Sequence, residues 1–239
     1  MIRRVDAVTF DFWNTLVAEH SPGSDRLRRW REVLERHEIV VTDQQLNAAT
    51  EAGWQWFDRQ WRANNVVSTR EAVAAAVVHL PVAVPETVVD DLTAAVVLGS
   101  DPSEMRVAPN VGACLERLAA ADVRLGIICD VGMTPSTALR GYLDHHGLLG
   151  HFDHWSFSDE VGWYKPDPRM FAHAASGLGG PDPARTAHVG DLLRTDVAGA
   201  RGVGWTSVRY RGLADDSGDD AEADLVVDDH LDLPALLDI

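Results

Sequence analysis

The chain has 239 residues, 46% of them hydrophobic, and a formal net charge of −16 at pH 7. Length and apolar content suit a globular chain of one large domain, or one domain carrying an insertion, and argue against disorder. The acidic balance excludes a nucleic-acid surface or an anionic membrane as partner, since both require clusters of Lys and Arg, and no apolar run approaches the ~20 residues of a membrane span.

In chain order, Met1-Ile2-Arg3-Arg4 runs toward a strand without an apolar leader region, so a cytoplasmic location is expected. Residues 5–10 have strand character and deliver Asp11 to a turn at Asn14-Thr15, within Val8-Thr9-Phe10-Asp11-Phe12-Trp13-Asn14-Thr15-Leu16. Open parallel sheets present groups to ligands at such strand ends. On this stretch alone, Asp11 either carries chemistry or merely closes a strand.

After a loop at His20-Ser21-Pro22-Gly23, four helix-like stretches follow, near 25–37, 42–62, 68–79 and 85–98, with no strand between them. Thr42 and Ser68 are caps, and Glu71 completes a capping-box pattern with Ser68. This block reads as an all-helical insertion. Trp54, Phe57 and Trp61 fall on one helical face and predict a packing stripe, while Trp56 lies off that face, where it would border a pocket or a subunit contact.

From residue 107 strands and helices alternate. Helices are expected near 109–121, 135–146, 168–176 and 195–200, and strands near 123–128, 154–157, 186–189, 205–208 and 225–227. The pattern predicts a parallel sheet with helices on both faces. Residues 215–224 form an acidic stretch that reads as an exposed loop. Cys114 and Cys129 provide neither a disulfide framework nor metal-ligand spacing, and Cys114 is expected in the core. His188 reads as a packed or hydrogen-bonded core histidine.

Three strand ends thus bring Asp11, Cys129-Asp130 and Asp191 to one edge of the sheet, joined by Asp196 and Lys165 from neighbouring loops. Converging carboxylates repel one another unless a cation sits among them, and hard oxygen ligands favour Mg²⁺. Of 21 basic residues, 20 are Arg and one, Lys165, is Lys; its ammonium supplies a second positive charge. Gly190 lets the backbone approach closely. Together these groups can hold a phosphoryl group against a carboxylate nucleophile.

The order Asp11…Thr15-Leu16, a strand-end pair at 129–130, Lys165-Pro166-Asp167-Pro168 and Gly190-Asp191…Asp196 resembles the haloacid dehalogenase-like (HAD) hydrolase superfamily over the whole chain. The resemblance implies an α/β, Rossmann-like core built from 1–16 and 107–239, with the helical block 17–106 as a C1-type cap that selects substrate. It implies that Asp11 attacks phosphorus to form an aspartyl-phosphate, which water then hydrolyses. Mg²⁺ would be held by Asp11, the backbone carbonyl of Trp13 and Asp191, with Asp196 supporting it through water or Lys165. Lys165 would neutralise Asp11 and the transferring oxygens, and Cys129, Asp130 and Lys165 would line the phosphate site. A small phosphorylated metabolite and a monomeric or homodimeric protein are the implied partner and state.

Two departures stand out. Phosphatases of the family carry an Asp two residues after the nucleophile as general acid and base, and here the residue is Trp13. General acid–base help is typically worth 10²–10⁴-fold, so ordinary alkyl phosphates should be poor substrates unless Asp130, His20 or a substrate group stands in. Cys129-Asp130 replaces the usual Ser or Thr followed often by Asn, and a thiol is a weaker donor than a hydroxyl. The alternatives are a 2-haloacid dehalogenase-like hydrolase, which shares an aromatic residue at position 13, and a weakly active fold with a binding or regulatory role.

Overall fold

The computed structural model describes residues 4–20 and 24–239. The expected loop at Ser21-Pro22-Gly23 and the start of the chain at Met1-Ile2-Arg3 lie outside the described residues. The elements run β1 (Ala7–Phe10), β2 (Val17–Glu19), α1 (Ser24–Arg36), α2 (Asp43–Arg62), α3 (Thr69–Val77), α4 (Glu86–Val97), β3 (Met105–Val107), α5 (Val111–Ala120) and β4 (Arg124–Cys129). Then come α6 (Ser136–His145), β5 (His154–Phe157), α7 (Ser158–Val161), α8 (Pro168–Gly177), β6 (Thr186–Gly190), α9 (Ala198–Gly202), β7 (Thr206–Tyr210), β8 (Leu225–Val227) and α10 (Leu233–Leu236). The short pair β2 and β3, and α10, had no signal in the apolar periodicity: three or four residues are too few to establish a period. Two compact units organise the chain, one of Met1–Ala18, Met105–Asp130 and Tyr142–Ile239, the other of Glu19–Glu104 and Val131–Gly141.

The first unit is an α/β fold. Its six-stranded sheet has the order β5-β4-β1-β6-β7-β8, and every pairing is parallel. Counted along the sheet strands alone this is 3-2-1-4-5-6, in which the connection direction reverses between the first and fourth strands, here β1 and β6. The run of buried residues explains the central position of β1: all four, Ala-Val-Thr-Phe, are buried, as a strand covered on both faces requires. On one side Ile128 joins Met170, Phe171 and Ala174 of α8, Ala200 of α9 and Trp205 in one apolar cluster.

The second unit is helical, with a core built around Trp30, Leu34, Leu46, Val73 and Leu92. Ser68 and Glu71 form the expected capping box at α3, and Thr42 forms a second with Gln45 at α2. The aromatic stripe on α2 is corrected. Leu46, Ala49, Gly53 and Phe57 make its buried face, whereas Trp54 is 48% exposed and stacks on Phe57 with ring centroids 5.5 Å apart. Close approach of α3 selects the small residues: a Cβ on Gly53 would lie 2.5 Å from the Cβ of Ala76, so the bulky indole one residue on is left outside the seam.

Gly53→Val should therefore lower the melting temperature, by overpacking worth about 1–3 kcal/mol. Thermal unfolding by circular dichroism tests it, and an unchanged midpoint would mean that α2 and α3 separate without penalty.

Candidate active site

The site grows out of the carboxyl ends of β1, β4 and β6. Residues two apart on a strand face the same way, so Thr9 and Asp11 at the end of β1 share a face, as do His188 and Gly190 on β6. The parallel register sets Thr9 opposite His188, and the amide of Asp11 donates to the carbonyl of Val189 at 2.8 Å. After Asp11 the chain turns sharply: Asn14 adopts the left-handed region (φ 55°), and the amides of Leu16 and Val17 both donate to the carbonyl of Phe12, at 2.9 and 3.1 Å. Asn is among the few residues that take this conformation readily. The turn is held from below by His230, whose Nε2 lies 2.9 Å from the carbonyl of Thr15.

Lys165 is the centre of the cluster. Its ammonium is buried and donates to Asp11 Oδ1 at 2.5 Å, to Asp196 Oδ1 at 2.6 Å and to the carbonyl of Ile128 at 3.0 Å. Three acceptors use the three ammonium protons. The backbone amide of Lys165 donates in turn to Asp130 Oδ1 at 2.9 Å, so Asp130 positions the lysine loop as an acceptor. Asp167 caps α8 through the amide of Arg169 and pairs with the Arg169 guanidinium, a structural task.

Asp191 completes the cluster: one carboxylate oxygen from each of Asp11, Asp191 and Asp196 lie within 4.8 Å of one another, and all three residues are buried. Asp196 sits against β6 so closely that a Cβ on Gly190 would fall 2.2 Å from its Cγ. Only glycine leaves that space. Residues Leu193–Val197 form a π-helical turn, one residue wider per turn than an α-helix, where an ordinary helix was expected. The amide of Leu193 is tied to Asp216 Oδ2 at 2.9 Å, and the buried Arg209 pairs with Asp215 and Glu222. The acidic stretch is thus a largely exposed loop, as expected, and it also anchors the turn that carries Asp196.

The charges do not balance by themselves. Burial pushes Asp196 up, but Lys165 and a hydrogen bond from His188 outweigh it and hold this carboxyl well below the usual range. Asp11 ends raised to about 7: burial dominates, the nearby Asp196 adds to it, and Lys165 only partly compensates. Asp191 is pushed well above its ordinary value by burial and by repulsion from Asp11 and Asp196. Both facts follow from one cation serving three acids; Lys165 satisfies Asp196, and two carboxylates are left in excess. Burial lowers the Lys165 pKa, but Asp11 and Asp196 overcome this and keep the group charged. An all-oxygen set with surplus negative charge fits a hard divalent cation such as Mg²⁺.

The remaining expected residues fall close by. Trp13 is half-buried, its ring edge-to-face with Phe12 at 5.0 Å and with Tyr142 at 6.4 Å. Cys129 is fully buried at the end of β4, and burial pushes its thiol well up, with Asp11 adding to the rise; it is a packed, protonated thiol. Cys114 is buried as expected. His188 is a buried, hydrogen-bonded core histidine as expected, but its partners were not foreseen: Thr9 Oγ1 lies 2.8 Å from His188 Nδ1, and His188 Nε2 lies 3.0 Å from Asp196 Oδ1. The spacing Thr9-x-Asp11 and His188-x-Gly190 was the available signal, but it needs the register of β1 against β6 to become a contact.

Comparison with known proteins bears on the family and the fold. The model of the haloacid dehalogenase-like hydrolase family matches residues 5–204. Haloacid dehalogenase-like hydrolase domain-containing protein 3 of Bos taurus is 35% identical over 137 residues, which is 57% of this chain and 51% of that protein. The glyceraldehyde 3-phosphate phosphatase of Methanothermobacter thermautotrophicus is 32% identical over 135 residues, 56% of each chain. The chain spans about half the length of such curated relatives. Among solved structures, the magnesium-bound HAD hydrolase YfnB of Bacillus subtilis superposes with a TM-score of 0.72 at 15% identity, over 99% of this chain and 100% of that one. The HAD phosphatase of Thermococcus onnurineus gives 0.68 at 22% identity, over 97% of each. At these identities the likeness is one of fold. Among the described residues, no helix is long and apolar enough to cross a membrane.

The surplus charge sets the pH response of the metal-free protein. With a folded pKa of about 7 against an ordinary value of 3.8, folded Asp11 keeps a proton that the unfolded chain gives up between those values. Its contribution to stability therefore falls as pH rises through this window. Asp11→Asn should melt higher than the native chain in EDTA at pH 8, with a gap that closes toward pH 4; a gap that widens toward low pH would refute the assignment.

Proposed function

Because the chain belongs to the haloacid dehalogenase-like hydrolase family, we propose that it is a Mg²⁺-dependent phosphatase of a small phosphorylated metabolite. The observation that carries this reading is the buried Lys165 ammonium bridging Asp11 and Asp196, with the Asp191 carboxylate alongside. Asp11 is the nucleophile. One of its oxygens forms a bond to phosphorus as the ester P–O bond breaks, the departing oxygen keeps the bonding pair, and water then cleaves the aspartyl-phosphate to release phosphate and restore the carboxylate. Lys165 fixes the orientation of Asp11 and offsets negative charge on the transferring oxygens. Asp11, the carbonyl of Trp13 and Asp191 would hold Mg²⁺, with Asp196 supporting it. When bound, the ion supplies Lewis-acid stabilisation of the phosphoryl charge.

The departures shape this activity. An indole N–H cannot serve as general acid to a leaving alkoxide, so Trp13 leaves that task unfilled, and Asp130 is engaged with the Lys165 amide. Substrates whose leaving group departs without a proton are favoured. The helical block, 17–106, is proposed as the cap that selects among them. Relatives named for small phosphorylated substrates, the glyceraldehyde 3-phosphate phosphatase and the pyrimidine 5'-nucleotidase YjjG of Escherichia coli, 32% identical over 38% of this chain and 40% of that one, support the substrate class. The aromatic Trp13 also favours a second reading, a 2-haloacid dehalogenase-like hydrolase, in which the Asp11 carboxylate displaces halide without a metal.

A panel of phosphorylated metabolites and 2-haloacids assayed with Mg²⁺ and with EDTA separates the two. Phosphate release lost in EDTA supports the phosphatase, and halide release that persists in EDTA sinks it. Lys165→Ala should lower kcat roughly 10²–10³-fold, with retained folding checked by circular dichroism; an unchanged kcat removes Lys165 from the mechanism. Trp13→Asp should raise turnover of alkyl phosphates, by up to about 10²-fold or more, and change aryl phosphates far less. Equal changes for both leaving groups would show that Trp13 acts otherwise than through the missing acid.

A further inference from the structure

We infer that His188, one layer beneath the carboxylate cluster, is a positioning residue for the phosphoryl-transfer site: its Nε2–H holds Asp196 in the orientation that keeps Lys165 on Asp11. This rests on the phosphatase reading above and adds to it a residue that touches neither substrate nor the reacting atoms.

The geometry selects the tautomer. His188 has two side-chain partners, Thr9 Oγ1 at 2.8 Å from Nδ1 and Asp196 Oδ1 at 3.0 Å from Nε2. The Thr9 hydroxyl has one proton to give. Its other acceptor, the carbonyl of Ala187, lies at 3.4 Å, too far to compete well. Were the proton sent there, Nδ1 would carry the imidazole N–H and the Nε2 lone pair would face a carboxylate oxygen across 3.0 Å, which is repulsive. With the Thr9 proton on Nδ1, Nε2 carries the N–H and donates to Asp196. Thr9 and His188 are paired neighbours on β1 and β6, so the sheet itself enforces the arrangement.

Asp196 is then held on every side. Oδ1 accepts from His188 and Lys165, and Oδ2 accepts from the amide of Leu192 at 3.1 Å and from Thr195 Oγ1 at 3.3 Å. Lys165 shares its protons between Asp196 and Asp11, so whatever loosens Asp196 moves the ammonium relative to the nucleophile. Removing the His188 donor leaves a buried carboxylate oxygen with one donor fewer, and the ammonium is drawn to fill the deficit. The competing account is packing alone: the imidazole meets Phe171 edge-to-face at 5.3 Å, and His188 is buried.

Steady-state hydrolysis of p-nitrophenyl phosphate with Mg²⁺ distinguishes the two. His188→Leu should lower kcat roughly 10–100-fold, the usual loss for a residue supporting a metal-site ligand, with KM unchanged. His188→Gln, which restores an N–H donor at similar reach, should recover most of that loss. Equal loss in both variants, or an unchanged kcat in His188→Leu, overturns the proposal; if His188→Leu fails to fold, His188→Phe, which lacks the donor but keeps an aromatic ring against Phe171, takes its place under the same criteria. A long-range ¹H–¹⁵N spectrum of the metal-free protein, assigned by difference from His188→Gln, gives a readout independent of turnover. An Nε2-protonated ring in the native protein supports the proposal, and an Nδ1-protonated ring overturns it. Should the native protein hydrolyse no phosphate ester, the phosphatase reading fails while this spectrum still decides the hydrogen-bond arrangement.

Discussion

One buried ammonium among three buried carboxylates is the constraint on which the site depends. Each acid alone would be neutral at this depth, because desolvation penalises the charged form. Lys165 keeps Asp196 ionised and cannot do the same for Asp11 and Asp191, which are left with raised pKa values. A cluster so arranged is costly to maintain in a folded chain, and it persists in contexts where a ligand or cation completes it. Under the proposed function that cost has a chemical purpose, since a carboxylate nucleophile would need a charged oxygen in a dry site together with groups that take up the charge of the transferring atoms.

The fold supplies this cluster cheaply. Strands of a parallel sheet end together at one edge, and the reversal of connection direction between β1 and β6 opens a crevice where Asp11 and Asp191 emerge side by side. The support lies one layer down. His230 braces the turn after Asp11, Asp130 braces the loop bearing Lys165, and Asp216 braces the π-helical turn bearing Asp196. Each brace joins segments distant in the chain, so the geometry of the cluster is a property of the sheet edge as a whole. Gly190 contributes by having no side chain, which lets the Asp196 carboxyl lie against the strand.

Trp13 is the point where this chain parts from the phosphatases it resembles. Its side chain packs on Phe12 and Tyr142.

Much of this was legible in the residues. The alternation of strand and helix beyond residue 107 predicted the parallel sheet, because buried strands and amphipathic helices have different apolar periods, and strands 154–157 and 225–227 were placed at their observed bounds. Asp11, Lys165, Asp191 and Asp196 were identifiable as one cluster because strand ends in such a sheet converge, and the sole lysine marked itself. The stripe through Trp54 was misplaced, since periodicity locates a face without saying how closely the neighbouring helix approaches, and that closeness, set by Gly53 against Ala76, decided which aromatic was buried. Arg209 and His230 carried no local signal of their roles, and for Thr9 and His188 the spacing from Asp11 and Gly190 showed a shared face without naming the partner. Their contacts depend on register between strands and on loops that return from far along the chain, so the sequence determined which groups would gather at the sheet edge, and only the tertiary structure decided which of them hold the others in place.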